Sequence, residues 1–229
     1  MTQNILVAGA TGRTGRFIIQ KLIQQGYATH ALVRDLADAK KLLLGSDLTF
    51  HQGDVRNLES VMGAMSGIDA VTSVIGARTP VGKNCPKNVD YQGVVNLVHA
   101  AVEHNVHRFI LVSSIAVTHP EHPLNCFGKV LDWKRKAEKV LQVSPLEYAI
   151  IRPGGLIDIP GEQRTLIFDQ GDHLMGTISR DSVAETCLQA LRLSSPLQIT
   201  FEVIEKDHKG QPNWEQLFQS LSRDGVQQS

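Results

Sequence analysis

The sequence predicts a single α/β domain, a doubly wound parallel sheet of about seven strands, and two observations support this prediction. Short apolar runs alternate along the chain with longer segments whose apolar residues recur at helical spacing. Strands that alternate with helices form right-handed βαβ units, and such units build a parallel sheet with helices on both faces. The 229 residues, 42% of them hydrophobic, are also enough to bury one core without disulfide bonds.

The predicted elements follow in order from the N-terminus. The first strand, residues 5–8, is a run of four apolar residues of the type that is buried on both faces. Further strands are predicted at residues 29–33, 48–51, 70–75, 109–112, 148–151 and 199–203. Helices are predicted at residues 13–25, 37–44, 58–65, 89–104, 130–143, 181–193 and 214–221. We expect residues 160–176 to form a loop with a short hairpin, residues 1–222 to form one domain, and residues 223–229 to form a polar tail.

Charge and cysteine content narrow the class of protein. The 23 Lys and Arg residues balance 23 Asp and Glu residues, so bulk electrostatics gives no attraction to nucleic acid or to an anionic membrane. No run approaches the roughly 20 apolar residues of a membrane helix, and the N-terminus lacks the basic start of a signal peptide. Three separated cysteines without a C-x-x-C motif indicate reduced thiols. We therefore expect a cytoplasmic protein with no metal, nucleic-acid or membrane partner.

A glycine-rich segment joins the first predicted strand to the first predicted helix. Gly9, Gly12 and Gly15 form a G-x-x-G-x-x-G pattern at this junction. Glycines allow a tight turn here and let a pyrophosphate approach the free N–H groups at the helix N-terminus. A tight turn without a ligand is the structural alternative, because three glycines by themselves are not specific.

Small or polar residues also end the other predicted strands. These strand ends carry Arg34, the Gly53-Asp54-Val55 segment, the Gly76-Ala77-Arg78 segment, Ser113 with Ser114, and the Pro153-Gly154-Gly155 segment. The carboxyl ends of parallel strands share one edge, where open α/β sheets bind ligands, so the pattern predicts a dinucleotide site. Arg34 suits the 2′-phosphate of NADP, whereas the adjacent Asp35 suits the 2′-hydroxyl of NAD. A solvated surface arginine is the alternative interpretation of Arg34.

Together these motifs resemble the atypical short-chain dehydrogenases/reductases of the NmrA-like and biliverdin-reductase-B-like kind. The resemblance covers nearly the whole chain and is carried by GATGRTG, ALVRD, GDV, VDYQG, RFILVSS and YAIIRPGGL, while HPLN and WKRKAE are similar to a plant NAD(P)-binding branch. It implies a Rossmann-like fold with NADP as the cofactor, NAD being the alternative. It also implies that the phosphates are held by Gly9, Thr11, Gly12, Arg13 and Thr14, with Arg34 at the 2′-phosphate. The other implied cofactor contacts are Asp54 and Val55 at the adenine, Gly76, Arg78 and the strand-end Ser113 along the cofactor, and Pro153, Gly154, Gly155 and Leu156 beside the nicotinamide.

The sequence departs from this family at its catalytic signature. The family motif is Y-x-x-x-K, often with a glutamate four residues after the lysine, and Glu138 here aligns the lysine with Lys134 and the tyrosine with Val130. Lys134 is then expected to hold the nicotinamide ribose, and Ser114 is the nearest remaining hydroxyl, so these two are the catalytic candidates. Lys136 is a rival for the same role, and a solvated basic helix face is the alternative interpretation of both lysines.

Two classes of function fit these residues. The first is an NADP(H)-dependent reductase that passes hydride to a flat conjugated acceptor of the flavin, bilin or quinone type. A carbonyl substrate would need the missing phenol as an acid, whereas a conjugated acceptor takes its proton from solvent. The second is a non-catalytic NADP(H)-binding redox sensor or assembly factor of the NmrA-like kind, which would act through a partner protein. His119 and His122 are interpreted as surface-loop residues, since no third metal ligand lies near them in sequence.

Overall fold

The computed structural model describes residues 3–43, 47–159, 164–194, 196–210 and 212–225. Within these ranges, ten strands form one sheet of eight strands and one of two. The strands are β1 (Asn4–Ala8), β2 (Ala28–Val33), β3 (Leu48–Gln52), β4 (Ala70–Ser73), β5 (Arg108–Val112), β6 (Glu147–Pro153), β7 (Gly155–Ile157), β8 (Arg164–Asp169), β9 (Thr177–Ser179) and β10 (Gln198–Lys209). The large sheet has the order β3-β2-β1-β4-β5-β6-β10-β8, and its neighbouring strands are parallel except for β10 with β8.

Helices cover both faces of the large sheet. In the described part of the chain they are α1 (Arg13–Gln24), α2 (Leu36–Leu42), α3 (Leu58–Gly63), α4 (Val94–Glu103), α5 (Val130–Gln142), α6 (Arg180–Arg192) and α7 (Trp214–Gln219). Residues of α1 and α6 belong to the core on one face, and residues of α3, α4 and α5 belong to the core on the other. In β1, Ile5 and Val7 point to the first core and Leu6 and Ala8 to the second, which explains why this strand is apolar throughout. The predicted fold class is confirmed.

The structure differs from the sequence prediction in two places. The helix predicted at residues 89–104 starts with a π-helical turn, Lys87–Gly93, before α4 begins. The segment predicted as a loop with a short hairpin contains β8, which pairs with a β10 that is longer than the predicted strand. The strand predicted at residues 199–203 ends before Glu205, a charged residue that breaks the apolar run on which a sequence prediction depends but is buried in β10. Residues 160–163 of that predicted loop lie outside the described residues.

One residue of the predicted polar tail is anchored to the sheet. The Asp224 carboxylate accepts hydrogen bonds from the Tyr148 hydroxyl at 2.9 Å, the Thr200 N–H at 3.0 Å and the Thr200 hydroxyl at 2.6 Å. Asp224 therefore joins the end of the chain to β6 and β10, while residues 226–229 lie outside the described residues. Over the ranges that the structure describes, no helix combines the length and apolarity needed to span a membrane.

Candidate functional site

A cleft of about 1270 Å³ opens at the carboxyl ends of the parallel strands. It lies where the strand order reverses, because β1 pairs with β2 on one side and with β4 on the other, and open α/β sheets bind ligands at this reversal point. Every residue assigned from the sequence to the cofactor or to catalysis lines the cleft, namely Gly9, Thr11, Gly12, Arg13, Thr14, Arg34, Asp54, Val55, Gly76, Arg78, Ser113, Ser114, Lys134, Pro153, Gly154, Gly155 and Leu156. The structure thus brings the predicted set into one space, and the role of each residue stays a prediction.

The two ends of the cleft differ in their chemistry. The β2 end is lined by Arg34, Asp54, Arg56 and Asn84. The β6 end is lined by residues 153–156 and by residues 172–176 of the loop between β8 and β9. Four strand spacings of about 4.8 Å separate β2 from β6, a span of about 19 Å that suits an extended dinucleotide.

The three glycine positions of the first turn differ in what requires a glycine there. Gly9 has a φ of +90°, and a Cβ there would lie 2.8 Å from the Val74 carbonyl oxygen. A Cβ on Gly15 would collide with the Gly9 carbonyl, so the fold itself requires both of these glycines. Gly12 has an ordinary φ of −69°, and α1 begins directly after it with no side-chain cap and no acidic residue in the first turn. The N–H groups at this helix start are therefore left for an anionic ligand, which fits a pyrophosphate.

Two arginines lie at the β2 end. Arg34 Nη1 donates to Asn84 Oδ1 at 3.2 Å. Arg56 is more fully occupied, because its Nε and Nη2 bind the Asp54 carboxylate and its Nη1 donates to the Lys83 carbonyl at 2.9 Å. The hydrogen bonds from Arg56, aided by the charge of Arg34, lower the pKa of Asp54 and keep it ionised. Arg56 and Asn84 were not predicted; the place of Arg56 directly after the GDV motif was a usable signal.

The neighbouring acid, Asp35, is committed to a helix cap. Its Oδ1 accepts a hydrogen bond from the Asp38 N–H at 3.0 Å at the start of α2. Of the two residues weighed for the cofactor ribose, Arg34 is the one that lines the cleft.

Lys134 forms a buried ion pair that was not predicted. Its Nζ lies 2.9 Å from Asp90 Oδ1, and the Asp90 carboxylate is only 2% exposed. Asp90 Oδ2 accepts a hydrogen bond from the Ala77 N–H at 2.9 Å, so this carboxylate joins the π-helical turn to the loop after β4. Lys136 instead lies over the Trp133 ring, 4.3 Å from its centre. Of these two lysines, Lys134 is the one that lines the cleft.

Hydroxyl and apolar side chains line the same cleft as Lys134. The Ser113 hydroxyl is buried and has no hydrogen-bond partner among the described residues, which leaves it for a ligand or a water molecule. Ser114 lines the cleft and is half-buried. Val130 also lines the cleft, so an isopropyl group stands where the family motif has a phenol.

A buried acid network shapes the β6 end. The Asp172 carboxylate accepts hydrogen bonds from the Ala116 N–H at 2.6 Å and from the Thr118 N–H and hydroxyl at 2.8 and 2.7 Å. Burial by itself would raise the pKa of Asp172, but these hydrogen bonds from Thr118 and Ala116 lower it. Glu202 accepts hydrogen bonds from the N–H groups of residues 172, 173 and 174. The loop after β5 and the loop between β8 and β9 are therefore fixed to each other and to the sheet.

A carboxylate also joins two arginines that line the cleft. Asp158 Oδ2 lies 2.6 Å from Arg13 Nη1, and Asp158 Oδ1 lies 2.6 Å from Arg180 Nη1. Arg13 follows the glycine turn and Arg180 starts α6, so this bridge joins the starts of two helices. No group of three or more His, Cys, Asp or Glu side chains in the described ranges is placed to hold a metal ion.

Apolar side chains form the rim of the cleft. Leu124, Leu156 and Met175 line it and are 49%, 39% and 87% exposed. Exposed large apolar side chains that cluster around a cleft, rather than being scattered over the surface, indicate a surface that is covered when a ligand binds.

Comparison with known proteins decides the family. The model of a family described as NAD(P)H-binding matches residues 9–193. The chain belongs to this NAD(P)H-binding family. The resemblance to the atypical short-chain dehydrogenases/reductases is confirmed, and dinucleotide binding is a property of the family.

Members of the family with curated sequences include plant and cyanobacterial proteins. Sanguinarine reductase of Eschscholzia californica is 31% identical over 88% of this chain and 89% of its own length. The Arabidopsis thaliana proteins At2g37660 and At2g34460 are 37% and 34% identical over 82% and 96% of this chain, which spans 65% and 83% of their lengths. Photosystem II assembly factor Ycf39 of Synechocystis is 27% identical over 95% of this chain and 67% of its own length. Among solved structures, the anaerobillin reductase ChuY of Escherichia coli O157:H7 has a TM-score of 0.76 at 24% identity over 91% of this chain and 100% of that chain, a likeness that concerns the fold.

Two plant relatives correct the predicted location. At2g37660 and At2g34460 are chloroplast proteins, and this points to a plastid rather than to the cytoplasm. The prediction of a cytoplasmic protein is therefore wrong. It relied on charge balance, reduced cysteines and the lack of a signal-peptide pattern, and none of these distinguishes one reducing compartment from another.

Proposed function

We propose that this chain is an NADPH-dependent reductase whose acceptor is a flat, conjugated molecule of the flavin, bilin or quinone type. Two features support the proposal: the chemistry of the β2 end, which suits NADPH, and the apolar character of the rim and of Val130, which suits a planar acceptor. A relative of similar length is named sanguinarine reductase, and this name supports a reductase function for the present chain.

The β2 end carries the preference for NADPH. Arg34 has one hydrogen bond to Asn84, while Arg56 is already bound to Asp54 and Lys83, so Arg34 is the guanidinium available to a 2′-phosphate. Asp35, which would favour NADH, caps α2. Gly12, Arg13 and Thr14 would hold the pyrophosphate at the start of α1, and Asp54 with Val55 would contact the adenine.

Lys134 would orient the reactive half of the cofactor. NADPH, when bound, supplies a hydride. The buried Asp90 carboxylate lies 2.9 Å from the Lys134 ammonium and holds it in the cleft, where it can donate to ribose hydroxyls. Pro153, Gly154, Gly155 and Leu156 would lie beside the nicotinamide, together with Gly76, Arg78 and the unpartnered hydroxyl of Ser113. Ser114 would lie beside the acceptor.

The observation that carries the acceptor class is the pairing of Lys134 with Val130. A carbonyl acceptor becomes an alkoxide and needs a donor at the carbonyl oxygen, next to the lysine, and the chain has an isopropyl group there. In a conjugated acceptor the charge moves to a distant heteroatom, so no donor is needed at that place. The exposed Leu124, Leu156 and Met175 provide the apolar surface that a flat ring system covers.

A panel of acceptors tests this function. Purified protein is mixed with NADPH and, in separate reactions, with FMN, biliverdin, a naphthoquinone or benzaldehyde, and loss of NADPH absorbance is followed. The proposal expects oxidation with at least one conjugated acceptor and little or none with the aldehyde. Oxidation by the aldehyde alone, or by none of the four, would refute it.

The second candidate is a non-catalytic NADP(H) sensor that acts through a partner protein. It is favoured by the likeness to a relative named as an assembly factor and by the missing phenol. In the same assay a sensor binds NADPH, shown by a higher melting temperature, but oxidises it with no acceptor.

A further inference from the structure

His119 is held in a fixed place at the β6 end. Its loop is bound to Asp172 through Ala116 and Thr118, and Asp172 is in turn held by Glu202 on β10. The imidazole itself binds the same residue, since Nε2 lies 3.2 Å from the Asp172 carbonyl oxygen. His119 lines the cleft and is 49% exposed, so its ring meets both the ligand space and solvent.

The contacts of the ring decide which nitrogen exchanges its proton. A carbonyl oxygen only accepts, so Nε2 carries a hydrogen in both charge states. The exchangeable proton is therefore on Nδ1, which lies 3.5 Å from Glu121 Oε1. Glu121 is exposed and free to yield this position to a ligand.

The surroundings of His119 favour its charged form. The Asp172 carbonyl, and then the negative charges of Asp172 and Glu121, raise the pKa of His119. The other titratable or charged groups near this position are His122 on the same loop, His173 beside Asp172, and Glu202 and Arg152 on the strands behind it. More imidazolium is thus present near neutral pH than for an ordinary histidine.

We propose that His119 donates the proton that accompanies reduction of the acceptor, in place of the tyrosine that this chain lacks; the inference rests on the reductase function proposed above. Reduction by one hydride leaves one negative charge on the acceptor. The Nδ1–H bond of the imidazolium breaks, a new O–H or N–H bond forms on the acceptor, and the electron pair of the broken bond stays on Nδ1. Solvent then returns a proton to the neutral imidazole.

The position of His119 also restricts the class of molecule that can serve as the acceptor. Lys134 lies deep in the cleft and is 17% exposed, whereas His119 lies at its mouth. A donor at the mouth serves a molecule whose negative charge develops on a heteroatom far from the atom that receives the hydride. We therefore expect acceptors in which a conjugated system links the atom that receives the hydride to the distant heteroatom that receives the proton. We do not expect isolated carbonyl compounds as acceptors.

The test compares His119→Gln, His119→Ala and the control His99→Gln, which changes an exposed histidine of α4 outside the cleft. Turnover with NADPH and a naphthoquinone is measured as a function of pH, and the imidazole titration of His119 is followed by NMR without cofactor. We expect the pKa of His119 to lie above that of an ordinary histidine, and wild-type turnover to fall as pH rises through this pKa. In His119→Gln turnover should drop about 10²-fold with a flat pH profile, and free imidazole should restore activity to His119→Ala.

The outcomes separate this inference from the proposed function. Turnover of His119→Gln within twofold of wild type, with the same pH profile, would overturn the role of His119 and leave the reductase function standing. A His119 pKa at or below that of an ordinary histidine would also contradict the role. Failure of the wild-type protein to oxidise NADPH with any acceptor would refute the proposed function, and the role of His119 with it.

Discussion

Replacing Arg34 with alanine removes the guanidinium that is available at the β2 end of the cleft. Arg34 has one side-chain hydrogen bond, to Asn84 at 3.2 Å, whereas Arg56 is bound by Asp54 and by the Lys83 carbonyl. A hydrogen bond between charged partners contributes about 1.5–3 kcal/mol, which is roughly ten- to a hundredfold in affinity. Because Arg34 is exposed and solvent screens its charge, we expect the lower end of that range, about tenfold.

The assay is titration calorimetry with NADPH and NADH on wild type, Arg34→Ala and the control Arg135→Ala, which removes an exposed cation of α5. Wild type should bind NADPH more tightly than NADH. Arg34→Ala should lose about tenfold for NADPH, keep its NADH affinity, and show a weaker dependence on salt for NADPH. Equal dissociation constants for the two cofactors in wild type, or an unchanged NADPH affinity in Arg34→Ala, would refute the assignment of Arg34.

Three further predictions address the glycine turn, the buried lysine and the acid network. Gly12→Val should fold, because Gly12 has an ordinary φ and a Cβ there would lie 3.1 Å from the Gly9 carbonyl oxygen, a contact that a small backbone shift relieves, and it should lose cofactor binding. Gly15→Val should fail to fold, because its Cβ would collide with that carbonyl. Circular dichroism melts and NADPH titration check both variants, and tight NADPH binding by Gly12→Val would contradict the assignment. Lys134→Ala should weaken NADPH binding and lower the melting temperature, because it leaves the Asp90 carboxylate buried without its cation. The double variant with Asp90→Asn should regain the wild-type melting temperature but not the NADPH affinity. The control Lys136→Ala should change neither quantity. Asp172→Asn should lower the free energy of unfolding by about 1–2 kcal/mol near neutral pH. Because the pKa of Asp172 in the folded protein lies below its ordinary value, this difference should shrink as pH falls below about 4. Urea unfolding at several pH values checks this, and a difference that does not depend on pH would show that the charge plays no part.

The edge of the sheet could be predicted from sequence because it depends on local order along the chain. A buried apolar run fixes where a parallel strand ends, and the next residues then lie at the shared carboxyl edge. Arg34, Asp54, Ser113 and Gly154 each follow such a run, and they line one cleft whatever the packing of the helices.

The contacts that complete the site join residues distant in sequence, and these could not be predicted. Asp172 binds Ala116 across 56 positions, and Asp90 meets Lys134 across the gap between two helical segments. The role proposed for His119 depends on its hydrogen bond to the Asp172 carbonyl, a contact across 53 positions that no local sequence pattern predicts. β10 was predicted too short for a related reason. Glu205, beyond the predicted end at residue 203, is buried because it accepts hydrogen bonds from the N–H and hydroxyl of Ser179, 26 positions away, so its charge says nothing about its exposure.

A single-turnover experiment tests most directly whether the cleft binds NADPH and passes its hydride to a planar acceptor. Stoichiometric NADPH, unlabelled or carrying deuterium at the reactive carbon of the nicotinamide, is mixed anaerobically with excess protein and a naphthoquinone, and NADPH absorbance is followed. We predict complete oxidation of NADPH, faster than without protein and slowed by deuterium, because a carbon–hydrogen bond is broken in the measured step. Tight NADPH binding with no oxidation above the protein-free rate would contradict it and favour the sensor.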